Sequence, residues 1–419
     1  MFESALRGAT LLVVAAFAAC AAAAGPRPGA TAAAAGFPPD EIADGAGLAA
    51  IGGCAGCHTR SDGAPLAGGA PVRTPFGTVY GSNITPDRAT GIGAWSLADF
   101  ARAMRTGVAP GGRHLYPAFP YDHFTRVDDA DIAAIYAFLM TRRPVARATP
   151  APRMDFPFGF RPLIAVWNAL YLDDARFQPV PGRSAEWNRG AYLVEGLGHC
   201  GDCHTPSNLL GAERSGRPLA GAVLDGWYAP PLTAASPAPR PWTADTLATY
   251  LRTGLDAQHQ AAAGPMGGVV HDFGAARPSD LHAIAVYLAT TMAASAGAPR
   301  ADRGAAANRG RPEATALFAG ACAGCHDAGA PMMQQGRPSL ALGSPLHEAT
   351  ARDAIAVVLF GVSPPAGPAG PFMPGFAASL SDAQVAELVD YIHARFGGGA
   401  AWRDLPALVR QVRKEGSGG

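Results

Sequence analysis

Charge is sparse in this chain of 419 residues: Asp, Glu, Lys and Arg make up only 16%, and 33 acidic side chains balance 33 basic ones. With no field of either sign, a nucleic-acid partner is excluded, because phosphates demand a basic face. Long apolar runs are lacking too. The most hydrophobic stretch, 9–24, falls short of the roughly 18–20 residues that cross a bilayer. The chain also has no glycine-rich phosphate loop, no dinucleotide fingerprint and no nucleophile–base pair, which removes the common enzyme classes. Cysteine is scarce, seven in all.

Those few cysteines are far from scattered. Six fall in three copies of one string: Cys54-Ala55-Gly56-Cys57-His58, Cys200-Gly201-Asp202-Cys203-His204 and Cys322-Ala323-Gly324-Cys325-His326. C-x-x-C-H is the attachment signature of c-type haem. Two thiols three positions apart add across the two vinyl groups of one porphyrin edge, and the adjacent histidine is held under the iron. A zinc site wants four ligands in one tetrahedron, and a redox dithiol has no use for a following histidine. Three haems c are therefore expected, on Cys54, Cys57, Cys200, Cys203, Cys322 and Cys325, with His58, His204 and His326 as proximal ligands.

The seventh cysteine has another setting. Arg7, the apolar run 9–24 and small residues to Ala35 read as a signal peptide, which agrees with haem attachment outside the cytoplasm. Phe17-Ala18-Ala19-Cys20 also resembles a loose lipoprotein box, making Cys20 a candidate lipid anchor.

The three histidines divide the chain into repeats. Downstream of each, an apolar-periodic segment stops at glycine, at Gly107, Gly254 and Gly361, as a helix C-terminus does. Ser96 and Asp99 stand at capping-box spacing, as do Ser381 and Gln384. Amphipathic closing helices follow at 131–140, 280–290 and 382–396. The expected class is all-α: three tandem cytochrome c domains at 38–143, 185–292 and 309–398, joined by Pro/Gly-rich linkers at 144–184 and 293–308, after a processing region 1–35 and before a basic amphipathic tail 399–419.

Sixth ligands follow from the repeat. Met266 lies twelve residues after Gly254 and Met373 twelve after Gly361, both in Pro/Gly-rich loops where a distal thioether belongs. In unit one that place is held by Phe119, which cannot ligate iron. His123 is the tentative sixth ligand there; an open iron shielded by Phe119, or ligation by Met104 or His114, are the alternatives. The aromatic stretch 154–172 of the first linker reads as a connector packed across two domains, or as a surface for a partner or the membrane plane. The tail, with Leu405, Val409 and Val412 among Arg403, Arg410 and Arg413, suggests a short basic amphipathic segment that either rests on lipid or a partner or frays in solvent.

The whole mature chain resembles the tri-haem cytochrome c subunits of membrane-associated bacterial dehydrogenases, such as that of alcohol dehydrogenase. The likeness rests on the three attachment strings, on Asn83-Ile84-Thr85-Pro86-Asp87, on Gly112-Arg113-His114-Leu115-Tyr116-Pro117-Ala118 and on Asn188-Arg189-Gly190-Ala191-Tyr192-Leu193-Val194-Glu195-Gly196. Phe119 followed by Asp122-His123-Phe124 is more similar to cytochromes that accompany molybdenum hydroxylases such as nicotinate, isoquinoline or aldehyde dehydrogenases. The resemblance implies an electron-transfer subunit, not an enzyme on its own, on the periplasmic side of the inner membrane. Its implied donor is a catalytic dehydrogenase subunit, a molybdopterin hydroxylase with an iron–sulfur subunit ahead of a quinoprotein or flavoprotein. Ubiquinone, an oxidase or a soluble cytochrome would be the acceptor. The alternative from a different class is a haem peroxidase or small-molecule reductase working at a five-coordinate first haem.

Overall fold

The computed structural model describes residues 36–224, 226–293, 302–334, 337–363 and 372–416. The processing region 1–35, with Cys20, lies outside the described residues, as does 294–301 of the second linker.

Each attachment string follows an entry helix and precedes a middle and a closing helix. In unit one these are Pro39–Ile51, Leu97–Thr106 and Asp129–Met140, with the string itself coiled as Cys54–His58. Unit two repeats them as Ala185–Tyr192, Ala244–Thr253 and Pro278–Thr291, and unit three as Pro312–Ala321, Arg352–Phe360 and Asp382–Phe396. Local chemistry sets the ends. Proline opens the entry helices of units one and three, where its missing N–H costs nothing. Both expected capping boxes form: Asp99 N donates to Ser96 Oγ at 3.1 Å and Gln384 N to Ser381 Oγ at 3.3 Å, with the reciprocal bonds in place. Thr243 and Thr246 form a third.

The helices are not the whole of it. Pro71–Thr74 pairs antiparallel with Gly77–Tyr80, and Ala222–Leu224 with Trp227–Ala229. These hairpins amend the all-α expectation to a predominantly helical chain with short ladders. β-branched Val72, Thr74, Thr78 and Val79 favour the extended backbone there.

Entry and closing helices cross at very short range. A Cβ on Gly45 would stand 1.8 Å from Ala134 O, and one on Gly190 2.0 Å from Ala283 O. Only glycine allows that approach. Gly45 precedes its first motif cysteine by nine residues and Gly190 by ten. The π-turn Leu193–Leu197 absorbs the extra residue, so the second string still lands in register.

Packing joins the first two units. Leu48, Phe100, Ile135 and Leu139 share one buried cluster with Leu193, Leu247, Ile284 and Leu288, whereas unit three buries Phe318, Ile355, Val385 and Phe396 in a core of its own. Arg189 ties the closing helices of units one and two, reaching Asp131 and Asp280 at 2.9 Å each. The first linker lies across both units. Arg153–Met154 adds a third strand beside Gly77–Tyr80, Asn168 Oδ1 accepts from Tyr121 Oη at 2.6 Å, and Trp167 Nε1 donates to Leu210 O at 3.0 Å. Its helix Pro162–Tyr171 still leaves Val166 and Leu170 exposed, beside a Phe156 that is 97% exposed.

The tail takes a different course from the one expected. The helix Leu405–Gly416 buries Leu405, Val409 and Val412 in unit three's own core. Arg413 donates to Asp382 at 2.7 Å and to Leu380 O at 2.9 Å. Its apolar face is thereby covered from within the chain, and lipid or a partner is not needed to cover it.

Candidate haem sites

Units one and two hold their motif histidines by the same bonds. His58 Nδ1 lies 2.6 Å from Ser82 O, and His204 Nδ1 2.6 Å from Pro230 O. A carbonyl only accepts, so each Nδ1 carries the proton and each Nε2 keeps its lone pair. Burial lowers both imidazole pKa values below the ordinary range against the opposing carbonyl bonds, favouring the neutral, ligating form. The backbone repeats as well. Gly68 N donates to His58 O and Gly221 N to His204 O, both at 2.7 Å, while Thr59 and Thr205 hydroxyls accept from Leu66 N and Leu219 N at 3.0 Å. The sequence offers little signal for Ser82 and Pro230, because a backbone acceptor does not depend on residue type.

Among the described residues the six motif cysteines form no disulfide. Burial above all pushes Cys54 and Cys200 up to about 12 and Cys322 to about 11.

A single cavity of about 490 Å³ runs through units two and three. Cys200, Cys203, His204 and Met266 line it from one side of the chain, and Cys322, Cys325, His326 and Met373 from the other, among Trp242, Tyr250, Phe318 and Leu388. Soft sulfur, the tautomer-locked His204, His326 and apolar walls fit haems with His/Met ligation. The structure thus brings the predicted residues of two units into one space. Backbone bonds of 3.0 and 2.9 Å to Val362 hold Met373 in its loop, and Met266 sits in the first turn of the helix Pro265–Phe273.

Unit one departs from this. Phe119 packs on the shared core, 5.4 Å from the Phe124 ring, and Met104 is buried in that core. His123 is turned toward unit two. Its Nδ1 meets Glu195 O at 2.8 Å, and its Nε2 meets Glu213 Oε1 at 2.9 Å and Asp202 Oδ1 at 3.4 Å. Both nitrogens are engaged by protein oxygens, so the tentative assignment of His123 as sixth ligand does not match this geometry. The physical reason is charge: burial opposes protonation, but the two carboxylates outweigh it and push His123 up to about 11. A protonated imidazole has no lone pair for iron.

Fold and sites together define a c-type cytochrome. Residues 42–143 match the family model described as cytochrome c, and 311–392 that described as cytochrome C oxidase, cbb3-type, subunit III. The chain is 35% identical over 399 residues to the fructose dehydrogenase cytochrome subunit of Gluconobacter japonicus, covering 88% of this chain and 82% of that one. It is 36% identical over 390 residues to the gluconate 2-dehydrogenase cytochrome c subunit of Pantoea cypripedii, covering 88% of each. Over 375 residues it is 48% identical to a nicotinate dehydrogenase subunit of Pseudomonas putida, covering 87% of this chain but 31% of that longer protein. The chain belongs to the family of dehydrogenase cytochrome c subunits, and its role is electron transfer within such a complex rather than catalysis of its own.

Proposed function

We propose that the chain carries three covalent haems c and passes electrons from a periplasmic molybdenum hydroxylase to the respiratory chain. The cavity shared by the His204/Met266 and His326/Met373 sets carries this reading. The haem iron, when bound, supplies reversible one-electron transfer. The protein's part is attachment through Cys54, Cys57, Cys200, Cys203, Cys322 and Cys325, ligation by His58, His204, His326, Met266 and Met373, and exclusion of water by the apolar walls. Phe119 and the 48% identity to a nicotinate dehydrogenase subunit favour the molybdenum class over a quinoprotein or flavoprotein partner. Among the described residues no helix is long and apolar enough to cross a membrane. The exposed Phe156, Val166 and Leu170 support a contact with the membrane surface or the catalytic subunit. Ubiquinone, an oxidase or a soluble cytochrome accepts the electrons.

The engagement of His123 elsewhere favours a second reading in which the first iron is open and binds small molecules. Two measurements on the purified protein test both readings. A reduced pyridine haemochrome is expected to give three haems per chain; fewer refute the main proposal. Low-temperature EPR, with and without carbon monoxide, then reports unit one. A high-spin signal that CO removes supports the haem-enzyme alternative, and three low-spin haems inert to CO end it.

A further inference from the structure

Two carboxyl groups of unit three take no part in ligation. Glu348, just ahead of the middle helix, is 5% exposed and Asp353, within it, 8%. Both line the cavity that units two and three share. Asp353 Oδ1 accepts from Tyr228 N at 2.7 Å, whereas Glu348 Oε2 has no hydrogen-bond partner among the described residues. An ionised carboxylate buried without a donor is costly, so the pair holds at least one proton. Burial, then the neighbouring Asp353, raises Glu348 to about 9; burial raises Asp353 to about 7 against the Tyr228 amide and Arg352.

The neighbouring groups leave this proton to the pair. Arg352 is drawn to Gly226 O and Glu415. Tyr228, with Arg217 near it, and Tyr250 are pushed up by burial and stay neutral. His347 and His393 each give a ring nitrogen to a backbone carbonyl, Ala341 O and Gly398 O, and Trp402 Nε1 donates to Glu348 O at 3.0 Å.

We propose that Glu348 and Asp353 form a proton-binding site coupled to the redox state of a haem held in this cavity. Glu348 takes one proton from solvent as the iron gains one electron from its reductant, the dehydrogenase subunit or dithionite, and returns it when the electron leaves. The inference rests on the reading of units two and three as haem sites. Its sign follows from charge: reduction removes one positive charge nearby, so the carboxyl binds its proton more tightly. By linkage the midpoint potential of that haem falls as pH rises, by at most about 59 mV per pH unit for one proton per electron.

The test is spectroelectrochemical titration of the whole haem-loaded protein between pH 5 and 10, after a haemochrome has counted its haems. The wild type is expected to show a pH-dependent potential for a cavity haem. Glu348→Gln should flatten it, Asp353→Asn should shift its pH range, and the haem of unit one should be unmoved in both. An unchanged slope in Glu348→Gln overturns the proposal and assigns the proton to the haem's own carboxylates. If that variant fails to load haem, the wild type decides: reduction at an electrode in weakly buffered solution with a pH indicator must take up protons. No uptake anywhere between pH 6 and 9 overturns it. A haem count below three would instead count against the underlying assignment.

Discussion

Replacing His123 with Gln tests whether this residue is a charged bridge between units or an iron ligand. The imidazole is 8% exposed and its pKa rises from 6.5 to about 11, a gain of at most ~6 kcal/mol at about 1.36 kcal/mol per unit. Its partners lie nearer water, with Asp202 and Glu213 side chains 36% and 29% exposed, so screening reduces that figure by about half. Removing one partner of a buried pair costs about 3–5 kcal/mol, and we expect ~3. Units one and two share a core, and for a body of that size ~3 kcal/mol lowers Tm by about 6–12 °C. Thermal unfolding followed by circular dichroism at pH 7 measures this. Because the folded pKa is raised, the stabilisation is fully present below pH 6.5 and is lost as pH rises through about 11. The gap between wild type and variant should therefore close across that window. The optical spectrum of the unit-one haem should not change. A loss of stability below ~0.5 kcal/mol would refute the bridge, and a spectral change with stability intact would restore His123 as a ligand.

Other expectations follow from the same geometry. Gly190→Ala places a Cβ 2.0 Å from Ala283 O and must force the helices apart, at a cost of about 3 kcal/mol or more. Gly320→Ala, in a helix of unit three with no atom within 4 Å, should stabilise by about 0.5–1 kcal/mol; urea titrations of the two variants check the contrast. Met373→Ala should remove the soft ligand of one haem, lowering its potential and leaving high-spin iron visible by EPR; an unaltered potential would deny Met373 that role.

Much of the site was readable before any fold. The C-x-x-C-H strings are local chemistry, complete within five residues, and helix ends at Ser96, Ser381 and Gly254 depend on neighbours three or four positions away. Met266 and Met373 could be singled out because the repeat keeps a fixed distance from a helix-ending glycine. The contacts of His123 were not legible, because Asp202 and Glu213 lie 79 and 90 residues further along the chain.

The amino-acid sequence by itself determined how many attachment strings there are, which helices flank them and which methionines recur at one spacing, since each is written in short-range spacing. Tertiary structure alone decided that units one and two pack as one body, that units two and three open into one cavity, that the tail helix closes on unit three, and that Glu348 and Asp353 meet the cavity wall. Those outcomes rest on which apolar faces cover each other and which charges lose their water. Both are properties of surfaces assembled from distant segments, and local spacing carries no record of them.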